Sequence, residues 1–93
     1  MPVGVLTLEI QLPHSHSLKE KRAVLRKMRD RLRSRFNVAI AELDHLDAWQ
    51  AATLGVVSIS NSQPLLESVF RQVLAESEKT LGQDVTHHTL DFF

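Results

Sequence analysis

Hydrophobic and polar positions alternate in the first segment of the chain, residues 3–12. Even-numbered positions from Leu6 to Leu12 are apolar, whereas the odd-numbered positions include the charged Glu9. A two-residue period places successive side chains on opposite faces, so this segment is predicted to form a half-buried β-strand. Pro13 is expected to end the strand.

The pattern changes to a helical period between residues 17 and 35. Apolar residues recur there at steps of three, four and seven positions and therefore occupy one sector of a helix. They are Leu18, Val24, Leu25, Met28 and Leu32. Ser17 and Glu20 form an S-x-x-E capping box, in which each side chain is expected to accept a hydrogen bond from the other's amide. The helix is predicted to end near Ser34 or Arg35.

Two further strands follow this helix. Residues 36–43 are apolar and β-rich, with Phe36, Val38 and Ile40 predicted on one face. Residues 49–60 are apolar on both faces in their second half, which is typical of a central strand. A polar turn separates the two segments.

A second helix and a last strand complete the pattern. Asn61 or Ser62 is placed to cap the helix, Pro64 is tolerated in its first turn, and Gly82 is placed to end it. The apolar face of the helix comprises Leu65, Leu66, Val69, Phe70, Val73, Leu74 and Leu81. Residues 84–93 are predicted to form the last strand. Its predicted faces are Leu90 and Phe92 on one side and Val85, Thr89 and Phe93 on the other.

The predicted order is strand, helix, strand, strand, helix, strand, within one domain that spans residues 1–93. Two right-handed crossovers place both helices on one face of a four-stranded antiparallel sheet. The sequence therefore predicts an α+β fold, the ferredoxin-like βαββαβ sandwich.

The sheet face without helices is predicted to be unusually apolar for a solvated surface. Its predicted members are Val5, Thr7, Glu9, Asn37, Ala39 and Ala41. Because exposed apolar patches often mark interaction sites, we expect a partner or a second copy of the chain to cover this face. A homodimer is therefore predicted.

The positive charge of the chain is concentrated in its first helix. The segment 17–38 holds nine of the eleven Lys and Arg residues, and Glu20 and Asp30 reduce its net charge only to +7, against −7 for the remainder. Five of these cations fall within an arc of about 80° beside the apolar sector, along roughly 21 Å of helix. This basic stripe consists of Lys19, Arg22, Arg26, Arg29 and Arg33.

Lys21 is an exception, because it falls at the centre of the apolar sector. A lysine in this position must extend its amine to solvent or pair with a carboxylate. Glu9 on the preceding strand and Glu42 on the next one are the candidate partners. We predict that Lys21 forms a structural ion pair.

Composition narrows the classes of function. The chain has no cysteine, so neither disulfides nor thiolate metal sites are available. The first twelve residues lack a basic leader and carry a charge at Glu9, so we expect neither a signal peptide nor a membrane span. A cytoplasmic location is therefore expected. No catalytic constellation or cofactor motif is present, and we expect no enzymatic activity and no cofactor.

Three short segments give the chain a family resemblance. Residues 17–22 have the sequence SLKEKR, residues 36–38 are FNV, Glu42 lies near the end of the second strand, and Trp49 and Gln50 open the third. In these segments the chain resembles the YlxP-like family of small bacterial proteins, a domain of unknown function, over nearly its whole length. The resemblance implies a ferredoxin-like fold and a bacterial cytoplasmic protein, often encoded close to translation and ribosome-maturation genes. It implies no known reaction.

Two functions fit these features. The basic stripe can neutralise phosphates, which favours a module that binds structured RNA or a ribosomal subunit. The simpler interpretation is that the stripe is only a solvated helix flank without a binding role. The alternative function is a protein-binding or self-assembling module that uses the open sheet face without contacting nucleic acid.

Histidines suggest a third, weaker possibility. His14 and His16 form an H-x-H pair, but a closed zinc site needs four ligands and a catalytic one needs three. His87 and His88 are adjacent in a strand, so at most one of them is able to join the pair. The pattern is explained better by histidines that lie on the surface by chance. No metal site is therefore predicted.

Overall fold

Four strands and two helices form the protein in a computed structural model that describes residues 2–93. The elements are β1 (Val3–Gln11), α1 (Leu18–Arg35), β2 (Ala39–Asp44), β3 (Ala51–Ile59), α2 (Gln63–Leu81) and β4 (Val85–Phe92). The strands pair in the order β2-β3-β1-β4, and every pairing is antiparallel. The βαββαβ prediction is confirmed.

The core lies between one face of the sheet and both helices. In β1 the alternation directs Leu6, Leu8 and Ile10 into this core, where each is at most 1% exposed. The helices contribute Leu25, Met28, Leu32, Leu66, Phe70 and Val73. Complete burial of one such side chain contributes about 1.5–3 kcal/mol, so this single layer provides most of the hydrophobic stabilisation.

The ends of α1 differ slightly from the capping-box prediction. Ser17 Oγ accepts the Glu20 amide at 3.0 Å, but the Glu20 carboxylate accepts the amide of His16, at 2.8 Å, instead of that of Ser17. At the other end the Phe36 amide still donates to Leu32 O. The chain keeps turning there, so β2 begins at Ala39 and not at Phe36.

The start of β4 corrects the predicted face of Val85. A bulge between Glu9 and Ile10 pairs Val85 with Ile10, whereas His87 pairs with Glu9. The extra residue, Thr86, shifts the alternation by one position, so Val85 packs against the core instead of sharing a face with Thr89.

Gly4 in β1 lets a buried aromatic ring approach the sheet. A Cβ at Gly4 would collide with the ring of Phe70, which is 1% exposed and packs edge-to-face on Phe92 with 6.1 Å between ring centroids. A Cβ at Gly55 would instead meet Leu43, a side chain that is 56% exposed. The two glycines therefore differ in how freely their neighbours can move.

We expect Gly4→Ala to lower the free energy of unfolding by about 1–3 kcal/mol, because the Phe70 ring has no free space to move into. Gly55→Ala is the matched control, and we expect it to change stability by less than about 0.5 kcal/mol. Urea unfolding followed by circular dichroism measures both. Equal losses would show that the Phe70 contact is not limiting.

Candidate nucleic-acid interface

Helix α1 presents three different sides to its surroundings. Its buried side carries Lys21, Leu25, Met28 and Leu32. The flank towards α2 is paired, because Glu76 lies 3.4 Å from Arg31 Nε and 3.0 Å from an Arg35 guanidinium nitrogen. The other flank is the basic stripe, which runs beside the edge strand β2.

The basic stripe has no acidic counterpart in the described chain. Lys19, Arg22, Arg26 and Arg33 are exposed and Arg29 is half-buried. Within residues 2–93, the cationic side chains that form ion pairs closer than 4.0 Å are Lys21, Arg31 and Arg35. All five stripe residues are therefore left without a carboxylate partner, in contrast to the paired flank of the same helix.

A cleft of about 260 Å³ opens where the stripe meets the sheet. We call it the arginine cleft, and its lining residues are Arg22, Leu25, Arg26, Arg29, Ile40, Ala41, Glu42 and Leu54. The Nε of Arg29 is buried and has no hydrogen-bond partner in the described part of the chain. Helical spacing alone places the three arginines on one arc, but the cleft arises only when β2 packs beside them.

Lys21 is completely buried and its amine is surrounded by oxygen atoms. Nζ lies 2.8 Å from Glu42 Oε2 and also donates to three backbone carbonyls. These are His45 O at 2.8 Å, Ala51 O at 3.2 Å and Leu46 O at 3.4 Å. Of the two candidate carboxylates, Glu42 is the one that pairs with Lys21.

Glu9 was the wrong candidate for Lys21. Even-numbered residues of β1 face the helices, so Glu9 lies on the opposite side of the sheet. There its carboxylate accepts the Thr53 hydroxyl at 3.1 Å. The sheet itself separates Glu9 from Lys21.

The open sheet face, defined as the side of the sheet that carries Glu9, is apolar at one end. Cross-strand pairing aligns Val3 with Ile59 and Val5 with Val57, and Ala39 faces Val57 from β2. Ile59 is 50% exposed and Val57 is 39% exposed. The sequence did not assign four exposed apolar residues to this face, because their assignment depends on strand register and on the β2 bulge. They are Leu43, Val57, Ile59 and Phe93.

The histidines are dispersed over the fold. His14 lies in the loop before α1, His87 and His88 face opposite sides of β4, and His45 follows β2. Across residues 2–93 there is no group of three His, Asp or Glu side chains placed to hold a metal ion. No helix in this range is long and apolar enough to cross a membrane.

We expect Lys21→Met to lower the free energy of unfolding by about 3–5 kcal/mol, because it leaves the Glu42 carboxylate without its counter-ion in a poorly solvated position. Lys19→Met, two residues away and exposed, is the control and should change stability by less than about 0.5 kcal/mol. Thermal and urea unfolding measure both. Similar losses for the two variants would contradict a structural role of the buried amine.

Two designed proteins of known structure have a similar fold. The de novo designed protein Ferredog-Diesel superposes with a TM-score of 0.59 at 15% identity, covering 96% of this chain and 83% of the other. A second de novo designed protein with a ferredoxin fold gives 0.56 at 11% identity, with coverage of 100% and 83%. At such identities the likeness establishes the ferredoxin fold alone.

Sequence relatives identify the family. The uncharacterized protein YlxP of Bacillus subtilis (strain 168) is 37% identical over 73 residues, which cover 78% of this chain and 79% of YlxP. Residues 3–89 match the family described as protein of unknown function (DUF503). The chain therefore belongs to the DUF503 family of small proteins of unknown function.

Proposed function

We propose that this protein is a non-catalytic cytoplasmic module that contacts structured RNA, such as a ribosomal subunit, through the basic stripe. The observation that carries the proposal is the absence of any carboxylate within 4.0 Å of the five stripe cations in the described residues. Uncompensated lysine and arginine side chains on one helix flank are suited to phosphate groups.

The two flanks of α1 provide an internal comparison for this proposal. Arg31 and Arg35 share the carboxylate of Glu76, so the α2 side is already balanced within the fold. The stripe lies on the outer side of the same helix and has no such partner in residues 2–93. The contrast between a balanced and an unbalanced flank of the same helix favours an external anionic partner.

The stripe is suited to reading a phosphate backbone and not a base sequence. It extends over roughly 21 Å of helix, which is long enough to meet several phosphates. Release of their condensed counterions would then provide a salt-dependent driving force. Base stacking on the sheet is not supported, because Phe93 is the one aromatic residue that strand alternation places on the open face.

A second candidate function is self-association through the open sheet face. It is favoured by the exposed apolar end of this face, where Val3 pairs with Ile59 on one side and with the 77% exposed Phe93 on the other, and Val57 follows on β3. A second copy of the chain would remove these side chains from water, and their burial would favour dimer formation. Because the stripe belongs to the helix layer and not to this face, a dimer is compatible with RNA contact.

We expect the unmodified protein to bind a labelled structured RNA at micromolar concentration, with a log-log salt slope of about −3 to −5, as several phosphate contacts require. Replacing Arg22, Arg26 and Arg29 by Glu should abolish this binding. Fluorescence anisotropy across a salt series measures both the affinity and the slope.

A charge-matched variant makes this test specific. Lys27→Glu, Arg71→Glu and Lys79→Glu together change the net charge equally, at exposed positions outside the stripe. We expect this variant to retain most of the affinity, because its stripe is intact. The RNA proposal would be overturned by equal losses in the two triple variants or by salt-independent binding.

For self-association, we expect Ile59→Lys to convert a dimer into a monomer of 10.5 kDa. Leu65→Lys is the matched control, since Leu65 is 58% exposed but lies on α2. Light scattering coupled to size exclusion measures the mass. An unmodified protein that is already monomeric at about 100 μM, a concentration at which dimers with micromolar dissociation constants persist, would refute this second function.

A further inference from the structure

The arginine cleft has two chemically different walls. Arg22, Arg26 and Arg29 come from successive turns of α1 and provide planar guanidinium groups. The sheet side provides a small aliphatic surface, mostly from half-buried Ile40, because Leu25 is only 7% exposed and Leu54 only 3% exposed. A ligand with an anionic group and an apolar part would match both walls.

Arg29 carries a hydrogen-bond donor that the fold leaves unused. Its Nε is buried and has no acceptor in the described residues, although Arg29 is the only half-buried member of the basic stripe. A buried donor without an acceptor is unfavourable, so such groups require a particular explanation. Because Nε is closed to solvent, a ligand in the cleft would meet the other nitrogens of the Arg29 guanidinium group, which lines the cleft.

The one acid in the lining does not oppose an anion. The Glu42 carboxylate lies 2.8 Å from the buried amine of Lys21, which compensates its charge. The cleft therefore keeps the net positive charge of its three arginines. Its edge is also polar, because β2 is the outer strand of the sheet and one side of its backbone has no neighbouring strand.

The chemistry of the walls selects the ligand, and the size of the cleft limits how much of the ligand is enclosed. The volume of about 260 Å³ lies just below the usual range of about 300–1,000 Å³ for sites that enclose a whole small molecule. Arginine binds phosphate through its forked donors and stacks on planar bases, and aliphatic surface covers the other side of a base. We propose that the arginine cleft binds a single nucleotide, with its phosphate on the guanidinium groups and one face of its base against Ile40.

This site goes beyond the proposed backbone contact, since it recognises a base as well as a phosphate. The same nucleotide unit is available as a free nucleoside monophosphate or as an unpaired residue of RNA. Two arms of one experiment distinguish these sources. In both arms Arg29→Gln is compared with Arg33→Gln, which removes the same charge from the stripe but lies outside the cleft.

The first arm titrates the isotope-labelled protein with AMP, ribose 5-phosphate and inorganic phosphate, and follows backbone amide NMR signals. A free-nucleotide site predicts that AMP binds at least tenfold more tightly than the other two, with shifts around Leu25, Ile40 and Leu54. Arg29→Gln should weaken AMP binding at least tenfold, and Arg33→Gln less than twofold. The spectra also report whether each variant is folded.

The second arm compares an RNA duplex that contains one bulged adenosine with the fully paired duplex, by anisotropy. An RNA source predicts at least fivefold tighter binding of the bulged RNA, and loss of this preference in Arg29→Gln but not in Arg33→Gln. Salt-dependent binding that is equal for both RNAs would be consistent with the proposed backbone contact. It would refute the proposal that the cleft accepts an RNA nucleotide.

The combined outcomes decide between the sources. AMP selectivity alone identifies a free nucleotide, a bulge preference alone identifies an RNA residue, and both together identify a site open to either. The nucleotide site is overturned if neither preference is found, if phosphate binds as well as AMP without a bulge preference, or if the two variants behave alike. Absence of binding to both RNAs would refute the proposed RNA function separately.

Discussion

The buried amine of Lys21 connects helix α1 to three other parts of the chain. Its hydrogen bonds reach Glu42 on β2, His45 and Leu46 in the connection that follows, and Ala51 at the start of β3. A buried ammonium is tolerated only when oxygen atoms surround it, so these segments must adopt one arrangement together. The left-handed backbone of His45, with φ of 61°, is part of that arrangement, because its carbonyl is one of the closest acceptors.

The rotation of α1 determines where its charges lie, and Lys21 belongs to the buried side that fixes this rotation together with Leu25, Met28 and Leu32. With the Lys21 side directed inward, the rotation of the helix places Arg31 and Arg35 against Glu76 of α2. The basic stripe is then left on the outer flank beside β2. The same ion pair neutralises Glu42, so that the cleft under the stripe stays positive. One buried charge therefore contributes both to the packing of α1 and to the positive charge of the candidate site.

The open sheet face shows a different balance between folding and binding. Antiparallel strands permit one solvated face, and its Glu9 end is polar, with the carboxylate bonded to Thr53. Its other end is apolar, with Val57 and Ile59 exposed, although the fold does not need them to fill the core. Large exposed apolar side chains that do not fill the core favour a protein interface, whereas the basic stripe favours an anionic partner. The two surfaces belong to different layers of the sandwich and do not compete.

Sequence alone determined the features that depend on near neighbours. Period-two and period-3.6 patterns specify the element order and the core faces, and Ser17 and Ser62 mark the helix starts through local hydrogen bonds. The five stripe residues follow from helix geometry in the same way. Strand alternation alone already directs Glu9 away from the helices and hence from Lys21. Tertiary structure decided what depends on segments far apart in the chain. That Glu42 meets Lys21, and that the arginine cleft forms, depends on the strand order and register that bring β2 beside α1, and no local pattern encodes that pairing.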